Sequence, residues 1–357
     1  MEAIVAVLAG DGIGPEIMRE GVRALEAVGE CGGHQFDLRE ALIGGAAIDA
    51  TGDGFPAETR AIVDDSDVAL LGAVGGPKWS APDAPVRPEQ GLLDLRAAMN
   101  VYANIRPVKT HPALYSASPL RPEYLENVDI IVVRELTGGI YFGEKSRTED
   151  SATDVCTYHR HEIERVVRMA AQYARQRSGK VASIDKANVL ETSRLWRSVT
   201  DEMFATEFKD LELETILVDA AAMHLLTRPA DFDVLVTENM FGDILTDEAS
   251  MLCGSLGMLP SASLNEDRRG LYEPIHGSAP DIAGQNIANP CATILTVAMM
   301  LRYSLDLAEE ATMLEEAVYA AFQAGYRTGD IAEAGMQPVS TSAMGDEVIR
   351  QYRELAG

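Results

Sequence analysis

The chain has 357 residues, 46% hydrophobic and 24% charged, with 30 Lys and Arg against 56 Asp and Glu, a formal net charge of -26. Such a balance describes a folded chain of about two domains with ample core, and it argues against disorder and repeat architectures. The acidic excess also disfavours nucleic acid or anionic membrane as partner, so an anionic substrate must be captured by a local cationic cluster.

The N-terminus, MEAIVAVLAGDG, lacks the basic region of a signal peptide, and the longest apolar stretch, ATILTVAMML, is about half the ~20 residues a spanning helix needs. A cytoplasmic location is expected. AIVAVLA reads as a first strand, GDGIG as a tight loop, and PEIMREGVRALEAVG as a helix with Pro15 in its first turn and Ile17, Met18, Val22, Leu25 and Val28 along one stripe. The order suggests a Rossmann dinucleotide fingerprint, but Gly10, Gly12 and Gly14 are followed by Pro15 where GxGxxG needs its last glycine. The segment therefore reads as a turn able to touch a cofactor and not as a pyrophosphate fingerprint.

Next, DVALLGAVGG is a strand running into glycines, and WSAPDAPVRPEQ a proline-rich loop expected to cover a cleft. GLLDLRAAMNVYANIRPV gives a helix and a strand carrying Arg96 and Arg106. Three apolar runs then end in charge: DIIVVRE at Arg134 and Glu135, KVASIDK at Asp185 and Lys186, and LETILVD at Asp219. Strands alternating with helices form parallel sheets, and ligands bind outside the carboxyl ends of such strands. Arg96, Arg106 and Arg134 suit a dicarboxylate, because guanidinium grips carboxylate in a two-pronged geometry.

After the strand-like FDVLVT, the run NMFGDILTDEAS places Asp243 and Asp247 one helical turn apart. Residues at i and i+4 share a helix face, and close carboxylates repel unless a cation or proton lies between them. A divalent metal site is expected, although acids near a helix start also suit its dipole. His159 and His161 have no third ligand in sequence, and Cys31, Cys156, Cys253 and Cys291 have no CxxC spacing, so structural roles are expected for them.

The segments LAGDGIGPEI, LLGAVGGPKW, RPEQGLLDLR, YANIRPV, ASPLRPE, VRELTGGIYFG, SIDKANVLETSRLWR, NMFGDILTDEAS, LPSASL and EPIHGSAPDIAGQNIANP together resemble the beta-decarboxylating dehydrogenases, the isocitrate/isopropylmalate dehydrogenase family. The likeness covers nearly the whole chain. It implies an α/β fold with two domains and an open parallel or mixed sheet, of the isopropylmalate/isocitrate dehydrogenase type and not of the Rossmann GxGxxG type. Residues 1–101 plus 254–357 would form a discontinuous cofactor-binding domain and residues 102–253 the dimerisation, metal and substrate domain, with the cleft between them. The implied reaction is the NAD-dependent oxidative decarboxylation of (2R,3S)-3-isopropylmalate to 4-methyl-2-oxopentanoate, CO2 and NADH, in leucine biosynthesis.

The resemblance also implies site roles. Arg96, Arg106 and Arg134 would hold the substrate carboxylates, and Asp219, Asp243 and Asp247 would hold Mg2+ or Mn2+, which prefers a few carboxylates plus substrate and water oxygens. Lys186 matches the base for the C2 hydroxyl, its pKa lowered by the flanking cation, and Tyr141 the acid for the enol. Leu92 and Leu93 would offer an apolar wall to an isopropyl group and Glu89 would oppose a third carboxylate, with tartrate or a bare alkylmalate as the nearest rival substrate. His276, Gly277, Ser278, Ala279, Pro280, Asp281 and Asn289, with Ile13, would form the cofactor site, and Asp281 on the adenosine ribose would favour NAD over NADP. A homodimer is implied in which Lys186, Asn188, Val189 and Asp219 enter the neighbour's active site. Two positions depart from the family pattern, Glu238 in place of a small residue and Ala220 in place of a frequent asparagine.

Overall fold

A computed structural model describes residues 1–81 and 84–357. The loop WSAPDAPVRPEQ contains Pro82 and Asp83, which lie outside the described residues, so its expected role over a cleft rests on sequence alone. In chain order the elements are β1 (Glu2–Gly10), α1 (Gly14–Gly32), β2 (Gln35–Glu40), α2 (Gly44–Thr51), α3 (Ala57–Asp64), β3 (Val68–Ala73), α4 (Pro88–Ala98), β4 (Ala103–Lys109) and β5 (Asp129–Glu135). A small hairpin follows, β6 (Lys145–Arg147) with β7 (Ala152–Asp154), then α5 (Arg160–Arg175), β8 (Lys180–Asp185), α6 (Glu191–Thr206), β9 (Glu212–Leu217), α7 (Val218–Thr227), β10 (Val234–Thr237) and α8 (Asn239–Cys253). The chain closes with β11 (Pro260–Leu264), β12 (Gly270–Pro274), α9 (Cys291–Tyr303), α10 (Ala308–Gln323) and α11 (Thr341–Ala356).

The chain divides into two compact units, Met1–Val101 with Gly254–Gly357, and Tyr102–Cys253. In the first, the strand order is β2-β1-β3-β12-β11, with β1 parallel to β2 and β3, β3 parallel to β12, and β11 antiparallel to β12. Val5, Ala6, Leu8 and Leu70 of β1 and β3 are fully buried, as expected for strands covered on both faces. Every residue of α9 from Cys291 to Leu301 is buried, so the longest apolar stretch is a core helix, packed among α1, α10 and strands β11 and β12. Among the described residues no helix is long and apolar enough to cross a membrane.

Pro15 sits in the first turn of α1, where its missing N–H would have had no helical partner. The preceding turn is tight: Gly12 has φ +58, and a Cβ there would collide with the carbonyl of Ser278. Ile13 N–H donates to that same carbonyl at 2.8 Å. Gly12→Ala therefore meets both left-handed strain and backbone overlap, and we expect a loss of at least ~2 kcal/mol, read as a drop of several degrees in the thermal midpoint by calorimetry. An unchanged midpoint would show that this turn can relax away from residue 278.

In the second unit the order is β4-β5-β10-β8-β9. β5, β10, β8 and β9 are mutually parallel, and β4 alone pairs antiparallel, with β5. The segment between β4 and β5 carries only short 3-10 turns and no crossover helix, so the chain returns antiparallel. Parallel pairing aligns Arg134 with Thr237, Thr237 with Ile184, and Asp185 with Leu217. The charged ends of three strands thus line one edge, and the loops and helices that leave that edge carry the candidate chemistry.

Candidate active site

α8 begins immediately after β10 and presents Asn239, Asp243, Thr246 and Asp247 at the helical spacing that keeps them on neighbouring faces. Glu238 starts the helix: its Oε1 accepts from Phe241 N–H at 2.8 Å and its Oε2 from the Tyr158 hydroxyl at 3.1 Å, while Tyr158 oxygen accepts from Asn239 N–H at 3.0 Å. Glu238 is thus a built N-cap, and burial pushes its carboxyl above the usual carboxylate range.

Two guanidiniums face α8 from the sheet. Arg134, near the end of β5, and Arg106, in β4, are 3% and 5% exposed, so their charges are desolvated and must be matched by geometry. Arg134 Nη1 donates to Asp243 Oδ1, and Arg106 Nη2 lies 3.6 Å from the same oxygen. Arg106 is oriented by Asn104 Oδ1 on Nε and Thr246 Oγ1 on Nη1, each at 2.5 Å. Tyr141, in the turn Gly139–Tyr141, donates its hydroxyl to Asp243 Oδ2 at 2.9 Å. Burial, with Asp243 beside it, pushes the Tyr141 phenol up to about 12, so it stays protonated at neutral pH.

Asp247 keeps solvent access at its surface but is flanked closely by protein. Burial pushes its carboxyl above the usual range and Asp243 adds to that rise, whereas Arg106 and Arg134 oppose it. Two acids with repulsion between them, beside two buried cations, form an anion and cation site whose charges answer one another, and the donor set is all oxygen, as a hard divalent ion prefers. Among the described residues, however, no three His, Cys, Asp or Glu side chains gather as a metal site within one chain.

Asp219 is placed elsewhere. It lies in the first turn of α7, exposed, and Lys186 Nζ meets its Oδ1 at 2.5 Å. That hydrogen bond from Lys186 holds the Asp219 carboxyl below the usual carboxylate range. Lys186 follows β8, in a turn fixed by Ser193 Oγ on its N–H at 3.0 Å and by Asp185, which caps Ala187 and takes two bonds from Arg197. Asn188 and Val189 in that turn are exposed, Val189 at 60%. Asp185 and Glu135, charged strand ends in sequence, serve locally: Glu135 accepts from Thr137 and Gly138 N–H and has Arg165 at 3.6 Å.

In the first unit, Arg96 is buried on α4 with Nη2 on Glu273 Oε1 at 2.5 Å, and its Nε is a buried donor without an acceptor. An orphaned guanidinium N–H fits a group that receives a carboxylate. Glu89 of α4 is exposed, and Leu92 and Leu93 are half-buried. The HGSAPDIAG segment packs on the GDGIG turn through Ile13, Ile17 and Ala288, joined by Ala279, Ile282 and Ala283. His276 Nδ1 donates to the Gly277 carbonyl oxygen at 3.0 Å, its Nε2 is buried without a partner, and burial lowers its pKa. Asp281 heads no helix: it stands exposed in a turn, so a capping role is ruled out, while buried Asn289 caps Cys291 through Oδ1 and reaches Asp330 through Nδ2 at 3.0 Å. Gly277 and Pro280 are exposed, Ser278 is buried, and Ala279 has φ +36.

The family model for isocitrate/isopropylmalate dehydrogenase matches residues 4–348. The chain belongs to the isocitrate/isopropylmalate dehydrogenase family. It is 56% identical over 353 residues to a 3-isopropylmalate dehydrogenase of Carboxydothermus hydrogenoformans, covering 97% of this chain and 94% of that one. It is 53% identical to the 3-isopropylmalate dehydrogenase of Heyndrickxia coagulans, covering 100% of this chain and 98% of that one. The crystal structure of an isocitrate dehydrogenase from Methylococcus capsulatus aligns with a TM-score of 0.87 at 33% identity, over 98% of this chain and 99% of that one. The family is one of oxidoreductases with an α/β fold and a mixed sheet, so the expected fold class and enzyme class hold.

Within this family frame, sequence reasoning missed Asn239, Asn104, Thr246 and Asp11. The last is buried, and its carboxylate accepts from Gly45, Ala46 and Gly75 N–H at 2.7–2.8 Å, tying three loops together in the first unit. An aspartate between two glycines in GDGIG was the available signal. Asn239 and Thr246 share the run that holds Asp243, and their spacing to it was equally available.

Proposed function

We propose that this chain is an NAD-dependent and divalent-metal-dependent dehydrogenase that oxidises and decarboxylates 3-isopropylmalate, a cytoplasmic step of leucine biosynthesis. The observation that carries the reading is the convergence of Arg106, Arg134 and Tyr141 on Asp243, with Asp247 one turn along α8. The printed names of the similar enzymes support the substrate.

Asp243 and Asp247 would hold the metal with Asp219 of a partner subunit, and His276 to Asp281, Ile13 and Asn289 would hold NAD. When bound, the metal supplies a Lewis acid and NAD an acceptor for hydride. The residues of the chain supply the rest. Arg96, Arg106 and Arg134 orient the malate carboxylates and shield their charge from the acidic protein around them. Lys186 Nζ takes the proton of the C2 hydroxyl, and Tyr141, protonated at neutral pH, returns a proton to the carbon that loses CO2. Leu92 and Leu93, half-buried on α4, suit the isopropyl branch, and Glu89 disfavours an added carboxylate.

A homodimer with shared sites is part of this reading. Each candidate cluster borders an exposed apolar side chain: Val189 beside Lys186, Met223 one turn beyond Asp219, and Ile244 beside Asp243, at 60%, 60% and 61% exposed. Such residues are covered when two copies pair.

The test follows NADH absorbance with NAD, Mg2+ and 3-isopropylmalate, against D-malate, isocitrate and tartrate. Turnover is expected with 3-isopropylmalate foremost, and a higher kcat/KM on any comparator would overturn the substrate assignment. Cofactor choice has its own test. Asp281→Arg is expected to raise the NADP to NAD ratio of kcat/KM at least ~10-fold, because a carboxylate repels a 2'-phosphate and a guanidinium receives one. A ratio left where it was would remove Asp281 from the ribose.

A further inference from the structure

α8 carries a further polar residue at the site, Asn239, and it holds both Arg134 and the turn that carries Tyr141. Asn239 is 1% exposed. Its Oδ1 accepts two bonds from Arg134, from Nε at 3.1 Å and from Nη2 at 2.7 Å. Its Nδ2 donates to Gly138 oxygen at 3.2 Å, the residue that opens the turn Gly139–Tyr141. The amide thus grips one edge of the guanidinium, which leaves Nη1 directed at Asp243, and with its other end it fixes the start of the turn that delivers the Tyr141 hydroxyl to the same carboxylate.

The helix is cut to suit. At Gly242 a Cβ would press on Cβ and Cγ of Arg134 and on the methyl of Thr237, so only a glycine there lets the arginine stem lie across α8. The Asn239 backbone is itself fixed through Tyr158, and Tyr158 through Glu238. A guanidinium held at Nε and Nη2 and laid over a glycine has one orientation left, and an oriented fork recognises a carboxylate with less loss of side-chain freedom.

We propose that Asn239 is a positioning residue for this reaction, setting the plane of Arg134 for the substrate carboxylate and the height of the Tyr141 turn for proton delivery. It touches neither substrate nor reacting atoms, and the inference rests on the 3-isopropylmalate reading above.

The experiment is a double-mutant cycle on the full dimeric enzyme, with kcat and KM for 3-isopropylmalate measured in wild type, Asn239→Ala, Arg134→Lys and the double variant. Asn239→Ala is expected to raise KM about tenfold and lower kcat about tenfold in the wild-type background. In the Arg134→Lys background the KM effect should shrink below about twofold, because lysine has no fork for the amide to hold, while the kcat effect persists through Gly138. An equal KM penalty in both backgrounds would mark Asn239 as a general structural residue and overturn the proposal, as would a KM that does not move.

Should Asn239→Ala fail to fold, Asn239→Asp keeps the shape and the acceptor but cannot donate to Gly138 when ionised, and kcat is expected to fall at least about fivefold. An unchanged kcat there would remove the second half of the role. Wild-type enzyme that fails to turn over 3-isopropylmalate at all overturns the functional reading and this inference together. Active wild type with an indifferent Asn239→Ala overturns only the inference.

Discussion

Enzyme carrying Lys186→Ala is expected to bind 3-isopropylmalate and Mg2+ almost as wild type does and to lose kcat at least ~100-fold, the scale of a general acid or base. Tyr141→Phe should do the same by a different route. Lys186 is the amine bonded to Asp219 Oδ1 just past the end of β8, and Tyr141 the phenol held neutral by burial and by Asp243. On the proposed mechanism, removing the amine would leave the C2 hydroxyl with no acceptor for its proton, and removing the phenol would leave the new carbanion with no donor. Both substitutions leave Arg106 and Arg134 oriented by Thr246 and Asn239, and on the proposed reading these two guanidiniums supply the carboxylate binding. Calorimetric titration with substrate and metal, beside single-turnover kinetics, separates the two terms. Wild-type turnover in both variants would end the assignment of base and acid, and a loss of binding equal to the loss of rate would move Lys186 into the binding set.

Mixing two inactive variants should restore activity. On the proposed dimer, Lys186→Ala and Arg134→Ala would disable different halves of a site that draws Lys186 and Asp219 from one copy and Arg134, Tyr141, Asp243 and Asp247 from the other. Random re-pairing makes half the dimers hybrid, each with one intact site and one doubly damaged site, so about a quarter of wild-type activity is expected from an equal mixture. The grouping within one chain motivates this expectation: Lys186 is bonded to Asp219, and Arg134 and Tyr141 to Asp243. A mixture as inactive as its parents, although hybrids form by native mass spectrometry, would confine each site to a single chain.

The sequence made the strand ends and the acidic helix legible because both are local signals. FDVLVT and DIIVVRE are short apolar runs bounded by charge, and Asp243 and Asp247 need only the helical period to share a face. The failed GxGxxG was equally local, since Pro15 occupies a helix start where a third glycine would be needed. What escaped was pairing across sequence distance. Nothing near Asn239 says that its amide closes on Arg134, a residue 105 positions earlier, or that Thr246 reaches Arg106 across 140. Glu238 was visible as a departure but not as an N-cap, because that role depends on Tyr158 arriving from another segment. The antiparallel β4 was obscured for the same reason: pairing direction is set by the connection that returns the chain and not by the strand's own residues.

The path of the chain through its two units governs the order in which they can be completed. Tyr102–Cys253 is one uninterrupted stretch, whereas the other unit waits for Gly254–Gly357 to bring β12 beside β3 and α9 beneath α1. During synthesis the middle of the protein can therefore close around its own core while the first strands still lack their neighbours, and the long-range closure falls last. Ribosomes stalled far enough past Cys253 for that residue to have left the exit tunnel should hold a protease-resistant central body flanked by a digestible amino-terminal arm.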